Sequence, residues 1–163
     1  MDRISGLPKA ILHDILGRLP DKDAAKASVL SKSWRETWFS FPILSVCCTN
    51  FLSLHALSLS PNDPLWLRKL DILVEYVSKR LIRLRDQGLS VKEFKLSLVS
   101  PKRDYTRVYP HVDQWIQMAS ESGVEVLELR LIGCFAKLYN LPLCIAEGKS
   151  LTKLGESELT QHS

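Results

Sequence analysis

At 163 residues the chain has room for one compact domain, or for a small module joined to a second unit of roughly 100 residues, which excludes a large multidomain enzyme. Hydrophobic residues at 45% and charged residues at 25% match an ordinary globular protein and exclude a broadly disordered chain. The net charge of +4 is too small by itself to mark a nucleic-acid or membrane surface.

The N-terminal stretch interrupts its apolar residues with Lys9, His13, Asp14 and Arg18, so it lacks the apolar core of a signal peptide. Cys47, Cys48, Cys134 and Cys144 form no CxxC pair, and the adjacent Cys47 and Cys48 cannot bridge without strain. Both features predict a reducing cytoplasmic or nuclear location. The most apolar stretch, residues 41–59, carries Pro42, Asn50, His55 and three serines, whose burial in lipid would be costly, so no membrane span is expected.

Residues 5–40 predict three short helices. Leu7, Ile11, Leu12, Ile15, Leu16 and Leu19 recur at three- and four-residue steps, Pro8 suits a first helical turn, and Gly17 with Pro20 is expected to end the helix. Asp21 or Asp23 can cap a second helix through DAAKASVL, and Ser31 a third through KSWRETWF. A unit of this size rarely buries enough surface to stand alone. Ala24, Ala25, Ala27, Val29, Leu30, Trp34, Trp38 and Phe39 add more apolar surface than three short helices can cover. The excess must face the rest of the chain or a partner protein.

From residue 41 one apolar pattern occurs three times. Phe41, Leu44 and Val46 hold positions 1, 4 and 6; Val91, Phe94, Leu96 and Leu98 hold 1, 4, 6 and 8; Val124, Leu127, Leu129 and Leu131 repeat the full set 33 residues later. Alternation at the later positions predicts strands with one buried face. Between them, Asp63 and Pro64 start a helix whose stripe is Leu67, Leu70, Leu73, Val74, Val77 and Leu81, ended by Gly88. Val112, Trp115, Ile116 and Ala119 mark a second helix, closed by Gly123, after a polar loop over 99–110. Strands alternating with helices at this spacing predict parallel pairing with stacked units. Leu151 and Leu154 begin the motif again, but Glu156 and Glu158 stand at its next inward positions, so the reading expects the ladder to be cut short and the last residues, from about Gly155, to fray.

No catalytic constellation emerges. His13, His55, His111 and His162 lie far apart with no HExxH, which leaves no expected metal site, and His13 is read as a surface residue of its helix. The seven glycines never approach GxGxxG or GxxxxGK[ST], and no serine lies in GxSxG, so no cofactor, nucleotide or nucleophile site is expected. Lys79, Arg80, Arg83 and Arg85, with Lys92 and Lys95 nearby, form a basic cluster without interleaved aromatics and diluted by Asp86 and Glu93; a solvated helix face is the expectation. Trp34 and Trp38, four residues apart, are read as an interface anchor or as core.

The segment DRISGLPKAILHDILGRLPDKDAAKASVLSKSWRETW, residues 2–38, resembles the F-box of plant F-box/leucine-rich-repeat proteins, with its two Leu-Pro steps, Lys-Asp-Ala-Ala, Ser-Val-Leu-Ser-Lys and Trp-Arg. VKEFKLSL, VDQWI, SGVEVLELRL, LPLCI and KSLTKL resemble successive units of that family's repeat region, and GESELTQHS departs from it. The resemblance implies an α/β architecture: a three-helix F-box over residues 2–40, followed over 41–163 by a short leucine-rich-repeat solenoid with parallel strands.

It also implies a receptor rather than an enzyme, one that docks on the Skp-type adaptor of a cullin ubiquitin ligase and holds an unidentified protein substrate on its repeats, with no cofactor, nucleic acid or membrane involved. Carried over by motif position, Leu7, Pro8, Ile11, Leu12, Ile15, Leu19 and Pro20 would form a first docking surface. Val29, Leu30, Ser31, Lys32, Trp34 and Arg35 would form a second. Which leucines face the adaptor stays open. Two rivals stand beside this reading. One is an adaptor-binding competitor without substrate, favoured by the interrupted last strand; the other is a basic nucleic-acid-binding module using Lys79, Arg80, Arg83 and Arg85.

Overall fold

The computed structural model describes residues 6–51, 60, 62–99, 105–132 and 153–154. Three short helices open the chain: α1 (Lys9–Arg18), α2 (Asp21–Ala27) and α3 (Lys32–Phe39). Strand β1 (Ile43–Cys47) follows, and a 3-10 turn (Cys48–Asn50) leads on to the long helix α4 (Pro64–Asp86). Then come β2 (Glu93–Val99), α5 (Tyr109–Glu121), β3 (Val126–Ile132) and the two-residue β4 (Lys153–Leu154). The result is a helical N-terminal unit attached to a small, wholly parallel sheet of order β1-β2-β3-β4.

The apolar repeat of the sequence is the register of this sheet. Leu44 pairs with Phe94 and Phe94 with Leu127, while Val46, Leu96 and Leu129 form the next row. All six are buried, and each contributes on the order of 1.5–3 kcal/mol by leaving water. Entry to each unit repeats as well. The Pro42 carbonyl accepts from the Lys92 N–H at 2.8 Å, and the Lys92 carbonyl accepts from the Glu125 N–H at 2.8 Å. Helices α4 and α5 cover one face through Trp66, Leu70, Leu73, Val77, Leu81, Val112, Trp115 and Ile116. The buried indole N–H of Trp115 donates to the Ser78 hydroxyl at 2.9 Å and so ties the two helices together.

Helix boundaries follow local chemistry. The Asp63 carboxylate accepts from the Leu65 N–H at 2.8 Å and caps α4. After α4, Gly88 takes φ +65° and the Leu89 N–H returns to the Leu84 carbonyl; after α5, Gly123 takes φ +78° and Val124 returns to Ala119. These are glycine-dependent stops at the two positions the sequence marks.

Several expectations are corrected. α1 runs through Gly17 to Arg18, and the extended Leu19 before Pro20, not Gly17, ends it. Helix α5 begins at Tyr109, inside the stretch read as loop, since Val108 and Tyr109 already pack on the core. Leu154 pairs with Leu129 rather than with Leu127, two residues out of the repeat register, and nothing in the described residues explains the shift. Glu156, Glu158 and the expected fraying from Gly155 lie outside the described residues.

Candidate partner-docking surface

α1 turns Leu12 and Leu16 inward, one helical turn apart, onto Ala24, Trp34, Trp38 and Phe41. Its other apolar residues do not follow them. Pro8 is exposed, with its carbonyl accepting from Ile11 and Leu12 at the helix start. Ile11 and Leu19 remain 45% and 36% exposed, and Pro20 is exposed as well. Leu7 and Ile15 are half-buried at the edge of the helical core. Pro8, Ile11, Ile15 and Leu19 recur at three- and four-residue steps, so they lie along one side of the helix.

The turn between α2 and α3 holds a second apolar group out of the core. Val29 is 82% and Leu30 is 63% exposed. Their backbone N–H groups donate to the Lys26 and Ala27 carbonyls, and the Ser28 hydroxyl donates to the Ala25 carbonyl at 2.6 Å. The turn is therefore built rather than loose. Lys32 and Arg35 stand exposed beside it on the first turns of α3, with Lys32 3.8 Å from Glu36. Ser31 caps α3: its hydroxyl oxygen accepts from the Trp34 N–H at 3.2 Å. Ser31→Ala is expected to cost about 1 kcal/mol of stability, which chemical denaturation measures directly.

Leu12 at 1% and Trp34 at 5% exposure pack in the helical core with Leu16 and Phe41, apart from the exposed members of the expected docking set. Trp38 is core as well, at 7%. Asp21 is not a cap. Pro20 precedes α2 without a side-chain cap bond, and the Asp21 carboxylate turns inward instead.

That carboxylate marks the junction with α4. The Tyr76 hydroxyl donates to the Asp21 carboxylate and contacts the Asp21 carbonyl at 3.4 Å. Arg80, 2% exposed, donates to the Trp38 carbonyl at 3.1 Å and lies 4.2 Å from the centre of the Trp38 ring. Arg83 stacks over Phe39 at 3.8 Å, a cation–π contact strengthened by desolvation. Lys22 reaches from α2 to the Asn50 carbonyl at 2.6 Å.

The basic cluster of α4 is thus not the solvated face expected of it. Arg80 and Arg83 hold the helical unit, Lys79 pairs with Glu75, and Arg85 with Asp86. The missed signal was spacing, because Tyr76, Arg80 and Arg83 fall at i, i+4 and i+7 and so share one side of α4. Burial raises the Asp21 carboxyl to about 6, against the pull of Arg80. Burial also lowers Arg80, with Asp21 opposing and Arg83 assisting.

His13 is half-buried rather than on the surface, set edge-on to Phe41 with ring centres 5.3 Å apart. Burial, then Lys9, pushes its imidazole below the usual range. It lines an open cleft of about 500 Å³ between α1, residues 41–43 and the strand entries at Lys92, Glu93 and Glu125. Among the described residues no group of three His, Cys, Asp or Glu could hold a metal ion. No described helix is long and apolar enough to cross a membrane.

Residues 4–45 match the family described as the F-box domain. This span contains the three helices, both exposed apolar groups and the first residues of β1. Over 130 residues the chain is 32% identical to an F-box protein of Arabidopsis thaliana, covering 80% of this chain and 33% of that one. It is 34% identical over 130 residues to an F-box/LRR-repeat protein of the same plant, covering 79% and 24%. An F-box/FBD/LRR-repeat protein of Arabidopsis thaliana is 32% identical over 128 residues, covering 78% and 24%. The chain carries an F-box domain and is similar over most of its length to plant F-box proteins. It spans between a quarter and a third of the length of these F-box relatives. No solved structure matches the chain.

Proposed function

We propose that this F-box chain is the substrate-recognition subunit of an SCF-type cullin ubiquitin ligase, with residues 2–40 docking on the Skp-type adaptor and residues 41–163 holding a protein substrate. The observation that carries the reading is the exposure of Val29 and Leu30 at 82% and 63% in a hydrogen-bonded turn, since apolar side chains fixed outward on a folded unit mark a partner surface. Ile11, Leu19, Pro8 and Pro20 extend the apolar set, and Lys32 and Arg35 give it a basic margin. An amphipathic helix face of this kind suits packing against helices of a partner.

The ligase component carrying ubiquitin would supply the chemistry, and this chain would act by proximity, raising the local concentration of its target. The parallel ladder of β1, β2 and β3, with one apolar motif per strand, supports the reading of residues 41–163 as leucine-rich repeats stacked as a solenoid. Such a subunit works in the cytoplasm or the nucleus. Affinity purification from plant cells with degradation blocked, read by mass spectrometry, tests the proposal. Recovery of adaptor, cullin and one enriched further protein is expected; adaptor alone would favour the substrate-free competitor, and neither would refute both.

A further inference from the structure

We propose that Asp21 is a proton-operated latch between the helical unit and α4, closing the junction more tightly when its carboxyl is protonated. The inference rests on the junction itself and stands apart from adaptor binding. Asp21 is 6% exposed at the first residue of α2, and from α4 only the Tyr76 hydroxyl bonds to it directly. Arg80 lies close enough to act on it through its field, but no cation comes within ion-pair distance of Asp21 among the described residues. Arg80 is itself incompletely served, since its Nε and one terminal nitrogen have no hydrogen-bond partner.

The other charged groups around Asp21 do not supply the missing partner. On its own helix, Lys22 is committed to the Asn50 carbonyl, and Asp23 is 3.7 Å from Lys26. On α3, Lys32 and Glu36 face each other across solvent, and Arg35 is exposed. On α4, Arg83 stacks on Phe39. At the end of β1, Cys47 lies 3.1 Å from the Thr49 hydroxyl.

A buried carboxylate with one neutral donor and a cation beyond contact retains much of its desolvation cost, and a proton removes that cost. The raised pKa of about 6 agrees with this. Because the folded value lies above the unfolded one, Asp21 contributes stability that is complete below about pH 4 and is lost as pH rises through about 6.

Thermal unfolding of the full chain and of Asp21→Asn, from pH 4.5 to 8, tests the latch. Asparagine keeps the acceptor for Tyr76 and cannot ionise. The wild-type midpoint is expected to fall relative to the variant by about 5 °C or more between pH 5 and 7.5, half of it near pH 6. A difference that stays flat or runs the other way overturns the proposal. Two measurements remain decisive if Asp21→Asn does not fold. Carbon-13 titration of the wild-type carboxyl groups should show one aspartate titrating near pH 6 and moving upward in Tyr76→Phe. Hydrogen exchange, corrected for intrinsic rates, should show α2 and the end of α3 more protected at pH 5.5 than at 7.5. No such aspartate, or equal changes in β2 and β3, would show that the junction is not a latch.

Discussion

Arg80→Ala is expected to destabilise the protein by about 2–4 kcal/mol, since it deletes a charged hydrogen bond worth about 1.5–3 kcal/mol and a desolvated cation–π contact. The substitution removes the hydrogen bond to the Trp38 carbonyl and the guanidinium over the Trp38 ring. It also removes the charge that opposes the rise in the Asp21 carboxyl. The carboxylate then keeps its desolvation cost without an offset, so its pKa should climb above 6 and the loss should be largest near neutral pH. Denaturant unfolding measures the effect as a lowered midpoint at unchanged slope. Combining Arg80→Met with Asp21→Asn removes both charges and retains the aliphatic stem, so it should cost much less than Arg80→Ala. A loss below about 1 kcal/mol for Arg80→Ala would mean that the junction contributes little to stability.

The second large effect concerns binding rather than folding. Replacing Val29 and Leu30 together with aspartate should weaken adaptor affinity by on the order of 100-fold or more, since central apolar anchors are each worth about 2 kcal/mol or more. The fold should hardly notice, because both side chains are already largely in water. The contrast is Leu12→Asp, which places a carboxylate at a position 1% exposed in the helical core and should unfold the unit. A double aspartate variant that binds as tightly as wild type, with an unchanged unfolding midpoint, would move docking away from this turn.

How much was legible in the sequence follows from which forces are local. The 1-4-6-8 apolar spacing predicted the pairing of Leu44, Phe94 and Leu127 because strand period and burial act on adjacent residues. Ser31, Asp63, Gly88 and Gly123 announced their turns because capping and left-handed backbone depend on a few neighbouring atoms. Long-range choices were hidden. Ile11 and Leu12 are equally apolar, and only the packing of α3 beneath α1 decides that Leu12 is inside and Ile11 outside.

Charge misled in the same way. Asp21 read as a cap and Arg80 as a solvated residue because charged side chains usually face water. Their burial depends on contacts between positions 42 and 55 residues apart, Arg80 with Trp38 and Asp21 with Tyr76. The proposed docking surface was legible as a motif and as an excess of apolar residues. Its sorting into the exposed Pro8, Ile11, Leu19, Pro20, Val29 and Leu30, the half-buried Leu7 and Ile15, and the core Leu12 and Trp34 required the fold.

The most direct test of adaptor docking is a calorimetric titration of the purified full chain with a purified plant Skp-type adaptor, after circular dichroism has shown the chain to be folded. The account predicts a saturable one-to-one complex with a negative heat-capacity change from apolar burial, lost in the Val29→Asp, Leu30→Asp double variant. A folded wild-type chain that gives no binding heat and no complex on size-exclusion chromatography would contradict it.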